Sequence, residues 1–170
     1  MSDLVGKPFP EGFHFNYVPY DEADQKDHLS CKIPIQLKLT PEYFKGKKVV
    51  ITSAPGAFTP TCTLSHIPGY IEKASEFASK GAQVIVITQD SAFVNSAWGK
   101  LLGQKQPIEF ASDYQATFSK SIGWVVDAGE MGTLTGRYTI IVDDGKVVYA
   151  EKEAGKDVTV SGADAALAKL

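Results

Sequence analysis

The chain alternates between short apolar runs and longer stretches in which apolar residues recur every three or four positions. Continuous apolar runs of this kind are typical of strands buried on both faces. They occupy residues 47–54, 83–88 and 108–113. Nearer the start, Phe13, Phe15 and Tyr17 alternate with polar residues, which predicts a half-buried strand over residues 13–17.

Helical spacing follows the apolar runs. A helix predicted over residues 63–80 should break or kink at Pro68-Gly69 and end at Gly81. Its predicted apolar face consists of Ile67, Tyr70, Ile71, Ala74, Phe77 and Ala78. A second helix, over residues 92–102, should be capped by Asp90 or Ser91. Its predicted inward residues are Phe93, Ala97 and Leu101, with Trp98 as a further candidate.

The last third of the chain predicts a hairpin and a closing helix. Asp144-Gly145 is a favoured two-residue turn, so residues 136–150 should form a β-hairpin. Short helices are expected over residues 114–122 and 161–170, and a loop that lines a site or an interface over residues 124–136.

This order of elements predicts an α/β protein. Strands that alternate with helices, followed by a hairpin and a helix, match a thioredoxin-like sandwich with a central mixed sheet flanked by helices. The strand at 13–17 would be an N-terminal extension of the sheet. We expect one domain over residues 1–170, since 170 residues can bury a substantial core and no repeat or second unit is evident.

Composition narrows the function. The net charge is −3, so the chain has no basic field for nucleic acid or an anionic membrane, and no apolar run approaches the length of a bilayer-spanning helix. The first residues lack the features of a secretory signal. The two cysteines, Cys31 and Cys62, lie too far apart for a Cys-x-x-Cys motif and favour redox or nucleophilic chemistry in a reducing compartment over a disulfide framework.

Cys62 lies where the strand at 47–54 gives way to the helix at 63–80. Unpaired N–H groups and the dipole at a helix N-terminus favour negative charge, so this position should stabilise the thiolate. Thr59, three residues earlier, could hydrogen-bond a bound molecule, and Pro55 and Pro60 stiffen the loop. The alternative is a small buried hydrophobic residue, the commonest role of a lone cysteine.

The residues around Cys62 favour the reactive role. Pro-x-x-x-Thr-x-x-Cys, present as Pro55, Thr59 and Cys62, resembles the active-site signature of peroxiredoxins. The longer string from Pro55 to Cys62, followed by residues 66–70 with the sequence His-Ile-Pro-Gly-Tyr, resembles the type II alkyl hydroperoxide reductase branch, which is similar to peroxiredoxin 5. The resemblance extends over nearly the whole chain and implies the thioredoxin-like fold and a thiol-dependent peroxidase that acts in antioxidant defence and redox homeostasis.

The resemblance also implies residue roles. Cys62 would attack the peroxide and become a sulfenic acid, and Cys31, in the exposed loop after residue 20, would be the resolving thiol of the fungal two-cysteine branch. Arg137, the only arginine, stands where this family places its active-site arginine. Thr59, the backbone at Gly56 and the shielding ring of Pro55 would complete the site. His66 lies four residues after Cys62 and would either polarise the substrate site or brace it.

Partners follow from the same resemblance. It implies a hydroperoxide substrate, thioredoxin as the reductant and a homodimer, with no prosthetic group. The fungal branch is expected to form its Cys31–Cys62 bridge between subunits, although a bridge within one subunit stays open. Cys62 and His66 are half of a zinc motif without a second half, which disfavours a metal site. The tripeptide Ala168-Lys169-Leu170 is a variant of the peroxisomal Ser-Lys-Leu address, so we expect a peroxisomal or cytoplasmic location, the alternative being an ordinary helix end.

Other classes of protein are less consistent with the sequence. A thiol–disulfide exchange protein on the same fold would carry Cys-x-x-Cys, which is absent. A non-enzymatic redox sensor or chaperone would not need Thr59, Cys62 and Arg137 together. The loop from Pro55 to Thr61 lacks the Gly-Lys-Ser/Thr ending of a phosphate-binding loop.

Overall fold

A computed structural model describes residues 3–170. Among these residues, nine strands are present: β1 His14–Tyr17, β2 Ile35–Lys38, β3 Lys48–Ser53, β4 Ala82–Thr88, β5 Ile108–Ser112, β6 Val125–Asp127, β7 Thr133–Thr135, β8 Tyr138–Asp143 and β9 Lys146–Lys152. The α-helices are α1 Pro41–Phe44, α2 Ile67–Glu72, α3 Ala74–Ser79, α4 Ala92–Leu102, α5 Thr117–Ser121 and α6 Ala163–Leu167. A π-helical turn, Cys62–His66, precedes α2.

Seven strands form one mixed sheet in the order β2-β1-β5-β4-β3-β8-β9, and β6 pairs with β7 in a small hairpin. Strands β3, β4 and β5 are parallel to one another, and the other pairs are antiparallel. The predicted mixed sheet flanked by helices is therefore confirmed. The strand at 13–17 is confirmed as well, and it extends the sheet by pairing with β5.

The central strands bury both faces, as their apolar runs predict. Val50 belongs to a core cluster with Trp98 and the helices α2, α3 and α6. Its neighbours on β3, Val49 and Ile51, belong to a second cluster with Phe118 on the opposite face. Successive side chains on a strand point to opposite faces, so one six-residue strand contributes to two cores.

Three predictions about the elements need correction, and one strand was missed. Strand β2 was not predicted, because its run is only four residues long and follows Pro34. The helix at 63–80 is three segments, with breaks before Ile67 and at Lys73, and Ala78 is exposed. The region 124–136, which was predicted to be a loop, contains the β6–β7 hairpin. The helix predicted over 161–170 spans only α6.

The inward face of α4 also differs from the prediction. Phe93 and Leu101 are each 54% exposed, whereas Trp98 and Asn95 are buried. The Asn95 amide donates to the carbonyl of Ala111, 2.9 Å away on β5, and a Cβ at position 99 would lie 2.7 Å from the ring of Phe110. A polar side chain and a glycine thus form the contact with the sheet, which a search for apolar positions does not detect.

The terminal hairpin and the α4 cap agree with the sequence. Asp144 and Gly145 have φ values of 48° and 82°, as a hairpin turn with two left-handed residues requires. Ser91 caps α4 by accepting a hydrogen bond from the N–H of Val94. Asp90, the other candidate cap, has a different role at the site.

Candidate active site

The loop between β3 and the π-helical turn is fixed by short hydrogen bonds. The hydroxyl of Thr59 donates to the Gly56 carbonyl over 2.7 Å, and the N–H of Ala57 donates to the Asp90 carboxylate over 2.8 Å. Phe58 has a φ of 60°, a left-handed conformation that is uncommon for a bulky residue. The loop is therefore held in a defined shape by contacts within it and by Asp90, which lies two residues after the end of β4.

Cys62 lies in the first helical turn after this loop and is 1% exposed. The N–H of Thr63 bonds to the carbonyl of Thr59, so the turn begins just before the thiol. The N–H of Ile67 bonds to the carbonyl of Cys62, a five-residue spacing that defines the π-helix. This wider turn lets Cys62 and His66 both face inward, since both side chains are buried.

Arg137 connects these two side chains. Its Nη1 lies 3.5 Å from the Sγ of Cys62 and 3.1 Å from the Nδ1 of His66. Arg137 is 7% exposed, and its Nε is buried without a hydrogen-bond partner among the described residues. Gly136, the residue before Arg137, packs closely against Trp124, because a Cβ there would lie 2.7 Å from the main-chain oxygen of Trp124.

His66 is held as a neutral ring of one tautomer. A guanidinium only donates, so the Nδ1 that faces Arg137 must accept. The Nε2 then carries the proton and donates to the Ser161 carbonyl, 3.0 Å away. Burial lowers the pKa of His66 to about 4, with the Arg137 charge acting in the same direction against the Ser161 hydrogen bond. The ring therefore orients the guanidinium without becoming charged at neutral pH.

The Ser161 carbonyl is the centre of a buried polar network behind the site. Besides His66, it accepts from the hydroxyl of Tyr70 over 2.7 Å and from the hydroxyl of Thr139 over 3.0 Å. The Glu153 carboxylate holds the Ser161 segment by accepting from the N–H and hydroxyl of both Thr159 and Ser161. Burial acts to raise the pKa of Glu153, but these hydrogen bonds together lower it.

A cavity of about 620 Å³ opens beside Arg137. Its wall consists of Pro55, Val126, Arg137, Lys152, Glu153, Ala154, Gly155 and Lys156. The cavity thus combines an apolar side with the guanidinium, and it is large enough for a small organic molecule. A slightly larger cavity around Phe9 and Phe44 belongs to the core cluster on the other face of the sheet, away from Cys62.

Cys31 has a different environment. It is an exposed free thiol in the loop between β1 and β2. Its Sγ lies 3.6 Å from the carbonyl of Lys32, to which the thiol donates a weak hydrogen bond. Lys32 pairs with Asp21 and with Asp24, the latter at 2.8 Å.

The structure brings together most of the residues that the sequence predicts for a site. Arg137 contacts both Cys62 and His66. Thr59 and Gly56 belong to the loop before the thiol and are joined by a hydrogen bond. Pro55 lines the Arg137 cavity. Cys31 is not in contact with this group.

The sequence analysis did not identify three residues that hold the site in place: Asp90, Glu153 and Ser161. Asp90 follows a buried strand, where functional side chains often lie, and could have been proposed on that ground. Glu153 and Ser161 gave no local signal, because their role depends on contacts with residues far away in the sequence.

Within residues 3–170, no group of three or more His, Cys, Asp or Glu side chains is arranged to hold a metal ion. The same residues include no helix that is both long and apolar enough to cross a bilayer.

Comparison with known proteins gives consistent matches. The Redoxin family matches residues 4–167. The chain is 46% identical to "Peroxiredoxin Pen c 3" of Penicillium citrinum, with all of both chains covered. It is 47% identical to the Lipomyces kononenkoae protein named "Putative peroxisomal peroxiredoxin", over 95% of this chain and 98% of that one.

A solved structure is similar over the same length. Reduced Prx3 of Vibrio vulnificus in complex with hydrogen peroxide is 32% identical and covers 98% of both chains, with a TM-score of 0.81.

Proposed function

The chain belongs to the redoxin family and is a thiol-dependent peroxidase of the peroxiredoxin type, and from that premise we propose that Cys62 is the peroxide-reducing thiol and Arg137 the cation that activates it. The observation that carries the proposal is the 3.5 Å contact between the guanidinium and the sulfur of a buried cysteine. A guanidinium with a fixed orientation stabilises a thiolate, and it also stabilises charge that develops on a leaving oxygen.

The first step transfers one oxygen atom. The Cys62 thiolate attacks the terminal oxygen of a hydroperoxide ROOH, a sulfur–oxygen bond forms, and the O–O bond breaks. The RO⁻ that leaves takes up a proton and departs as ROH, while the sulfur becomes a sulfenic acid. Thr59 would accept a hydrogen bond from the peroxide, since its own proton is donated to the Gly56 carbonyl.

The remaining site residues have supporting roles in this proposal. The Pro55 ring shields the sulfur from water at the edge of the cavity, and the backbone at Gly56 shapes the loop around the substrate. His66 acts through Arg137 rather than on the peroxide, because its Nδ1 faces the guanidinium and the ring is 1% exposed.

The second step uses Cys31 as the resolving thiol. The sulfenic acid condenses with the Cys31 thiol, a disulfide forms and one water leaves. Two electrons from a dithiol reductant of the thioredoxin type then restore both thiols. Cys31 is exposed and is the only other cysteine, which supports this role.

We further propose that the protein is a homodimer that uses the outer face of α4. Phe93, Ala97 and Leu101 lie four residues apart along that face, and the two larger side chains are more than half exposed. An apolar stripe of this kind is typical of an interface. Sedimentation of the reduced protein should give a dimer, and Leu101→Glu should give a monomer.

We propose that the chain forms a single domain over residues 1–170. We also propose that the protein is located in the peroxisome, the cytoplasm or both. The tripeptide at residues 168–170 and the name of the Lipomyces relative support the peroxisomal location. Removal of the tripeptide from a fluorescent fusion should abolish punctate localisation if the address is used.

A single-turnover experiment tests the catalytic proposal. Fully reduced protein is mixed with one equivalent of hydroperoxide, quenched with an alkylating agent and mapped by peptide mass without reductant. We expect rapid, selective formation of a Cys31–Cys62 cross-link, which a non-reducing gel assigns to one subunit or to two. Slow and unselective oxidation of both thiols would contradict the proposed role of Cys62.

A further inference from the structure

Lys100 is a buried lysine whose ammonium group contacts the loop that carries Cys31. It lies on the last turn of α4 and is 7% exposed. Its Nζ donates to the carbonyl of Asp27 over 3.2 Å and to the carbonyl of Ser30 over 2.7 Å. Ser30 is the residue immediately before Cys31.

The segment that Lys100 holds is a compact turn. The N–H of Ser30 bonds to the Asp27 carbonyl, and the Asp27 side chain accepts from the N–H groups of Leu29 and Ser30, each at 3.1 Å. Lys100 therefore binds both ends of one turn. On the other side of Cys31, Lys32 pairs with acidic residues at the start of the loop, so the exposed thiol lies between two anchored positions.

The same helix also contacts the segment of the other thiol. Two residues before Lys100, the indole N–H of Trp98 donates to the hydroxyl of Thr63 over 3.2 Å, and Thr63 follows Cys62. One turn of α4 thus contacts both cysteine-bearing segments.

An ammonium at this position is not needed for packing. Taking a charge out of water costs free energy, so packing alone would favour an apolar side chain at this position. What the lysine adds is a charged donor that two main-chain carbonyls of the loop can share.

We propose that Lys100 is a positioning residue for the resolving step, which ties the 27–30 turn to α4 and so keeps the Cys31 thiol where it meets the Cys62 sulfenic acid. The inference rests on the proposed role of Cys31. It applies whether the disulfide forms within one subunit or between two, because the tether acts on the loop of its own subunit. Loss of the tether gives the loop more conformations and lowers the local concentration of the thiol.

The test is the rate of disulfide formation after one equivalent of peroxide in Lys100→Met. We expect this rate to fall about tenfold, because hydrogen bonds from a charged donor are lost, while the rate of sulfenic acid formation stays the same. Over-oxidation of Cys62 at excess peroxide should become more frequent in the same proportion. Lys100→Arg, which keeps a charged donor, should restore most of the rate.

Matched variants separate positioning from a general loss of structure. Lys105→Met removes an exposed lysine just beyond α4 and should change neither rate. In a Cys31→Ser background, Lys100→Met should leave the lifetime of the sulfenic acid unchanged, since no resolving thiol remains to be positioned. If Lys100→Met does not fold, Asp27→Ala weakens the same turn from its exposed side and should slow the disulfide step.

Wild-type disulfide kinetics in a folded Lys100→Met, or in Asp27→Ala, would overturn the inference, as would an effect that persists without Cys31. Failure of the wild-type protein to form any Cys31–Cys62 disulfide would instead contradict the proposed function.

Discussion

The two thiols occupy opposite environments, because Cys62 is buried and Cys31 is exposed. The contrast indicates two different ways in which a protein can control the chemistry of a cysteine. Cys62 is almost fully buried beside a guanidinium that is itself oriented by a neutral histidine. Cys31 is exposed on a loop held by a few lysine contacts. In the proposed mechanism, the reactivity of Cys62 depends on a fixed charge in a buried site, whereas that of Cys31 depends on where its loop is held.

A titratable group in contact with Arg137 and another at the start of the loop that carries Cys31 also differ from each other. His66, behind Cys62, has its pKa lowered by burial, and Glu109, which accepts from the N–H of Tyr20 at the start of the Cys31 loop, has its pKa raised by burial. The stability of the two regions should therefore respond to pH in opposite senses.

The largest expected effect comes from replacing the guanidinium while keeping its charge. Arg137→Lys should lower the second-order rate constant of Cys62 with hydroperoxide by about 100- to 1,000-fold, because one flexible ammonium does not replace a fixed donor at the developing charge. Stopped-flow mixing measures this rate. Lys146→Gln, at the distant end of β9, should leave it unchanged, and a loss of less than about threefold in Arg137→Lys would show that net charge suffices.

His66→Gln tests the region behind Cys62. The pKa of His66 is about 4 in the folded protein and 6.5 ordinarily. Between these two pH values the unfolded chain is protonated at His66 and the folded chain is not. The contribution of His66 to stability should fall by about 2 kcal/mol between pH 7 and pH 5. Glutamine does not titrate, so urea unfolding of the variant should lack this loss. An equal loss in variant and wild type would contradict the pKa assignment.

Glu109→Gln tests the base of the Cys31 loop, with the opposite sign. The pKa of Glu109 is raised from 4.5 to about 7 by burial, against the hydrogen bond from Tyr20. The folded chain therefore keeps a proton that the unfolded one releases, and stability is lost as pH rises from 4.5 to 7. We expect the variant to lose about 1 kcal/mol less than wild type between pH 5 and pH 7, a value reduced for partial exposure. Urea unfolding at the two pH values measures this difference. A larger loss of stability in the variant than in the wild type would contradict the predicted sign.

Lys32→Met should have the smallest effect. The ion pairs of Lys32 are solvent-exposed, and such pairs contribute little because salt and water screen them. The urea midpoint should not change measurably, and disulfide formation should slow by at most about twofold. A slowing as large as that expected for Lys100→Met would mean that both sides of Cys31 are held equally firmly.

The sequence was most informative where a local pattern decides the structure. The continuous apolar runs of β3, β4 and β5 and the Asp144-Gly145 turn predict their elements directly, because burial and backbone conformation leave few alternatives. The motif around Cys62 and the single arginine likewise indicated most of the residues that the structure brings together.

Predictions failed where contacts between distant segments decide. The inner face of α4 depends on Asn95 and Gly99. Asn95 contacts β5 through a hydrogen bond and Gly99 through its lack of a side chain, so neither contact is marked by hydrophobicity. The orientation of His66 depends on a carbonyl at Ser161, 95 positions away in the sequence. No periodicity marks either contact, since each is defined only once the sheet has formed.

The single arginine also makes the site visible to spectroscopy. Because Arg137 is the only arginine in the chain, a ¹⁵N-labelled sample contains one guanidinium Nε–H group, which is buried and has no hydrogen-bond partner within residues 3–170. Its resonance needs no assignment by mutation, and its chemical shift responds to charge and hydrogen bonding nearby. A titration with peroxide or reductant could therefore be followed at the side chain that contacts Cys62, without any label on the thiols.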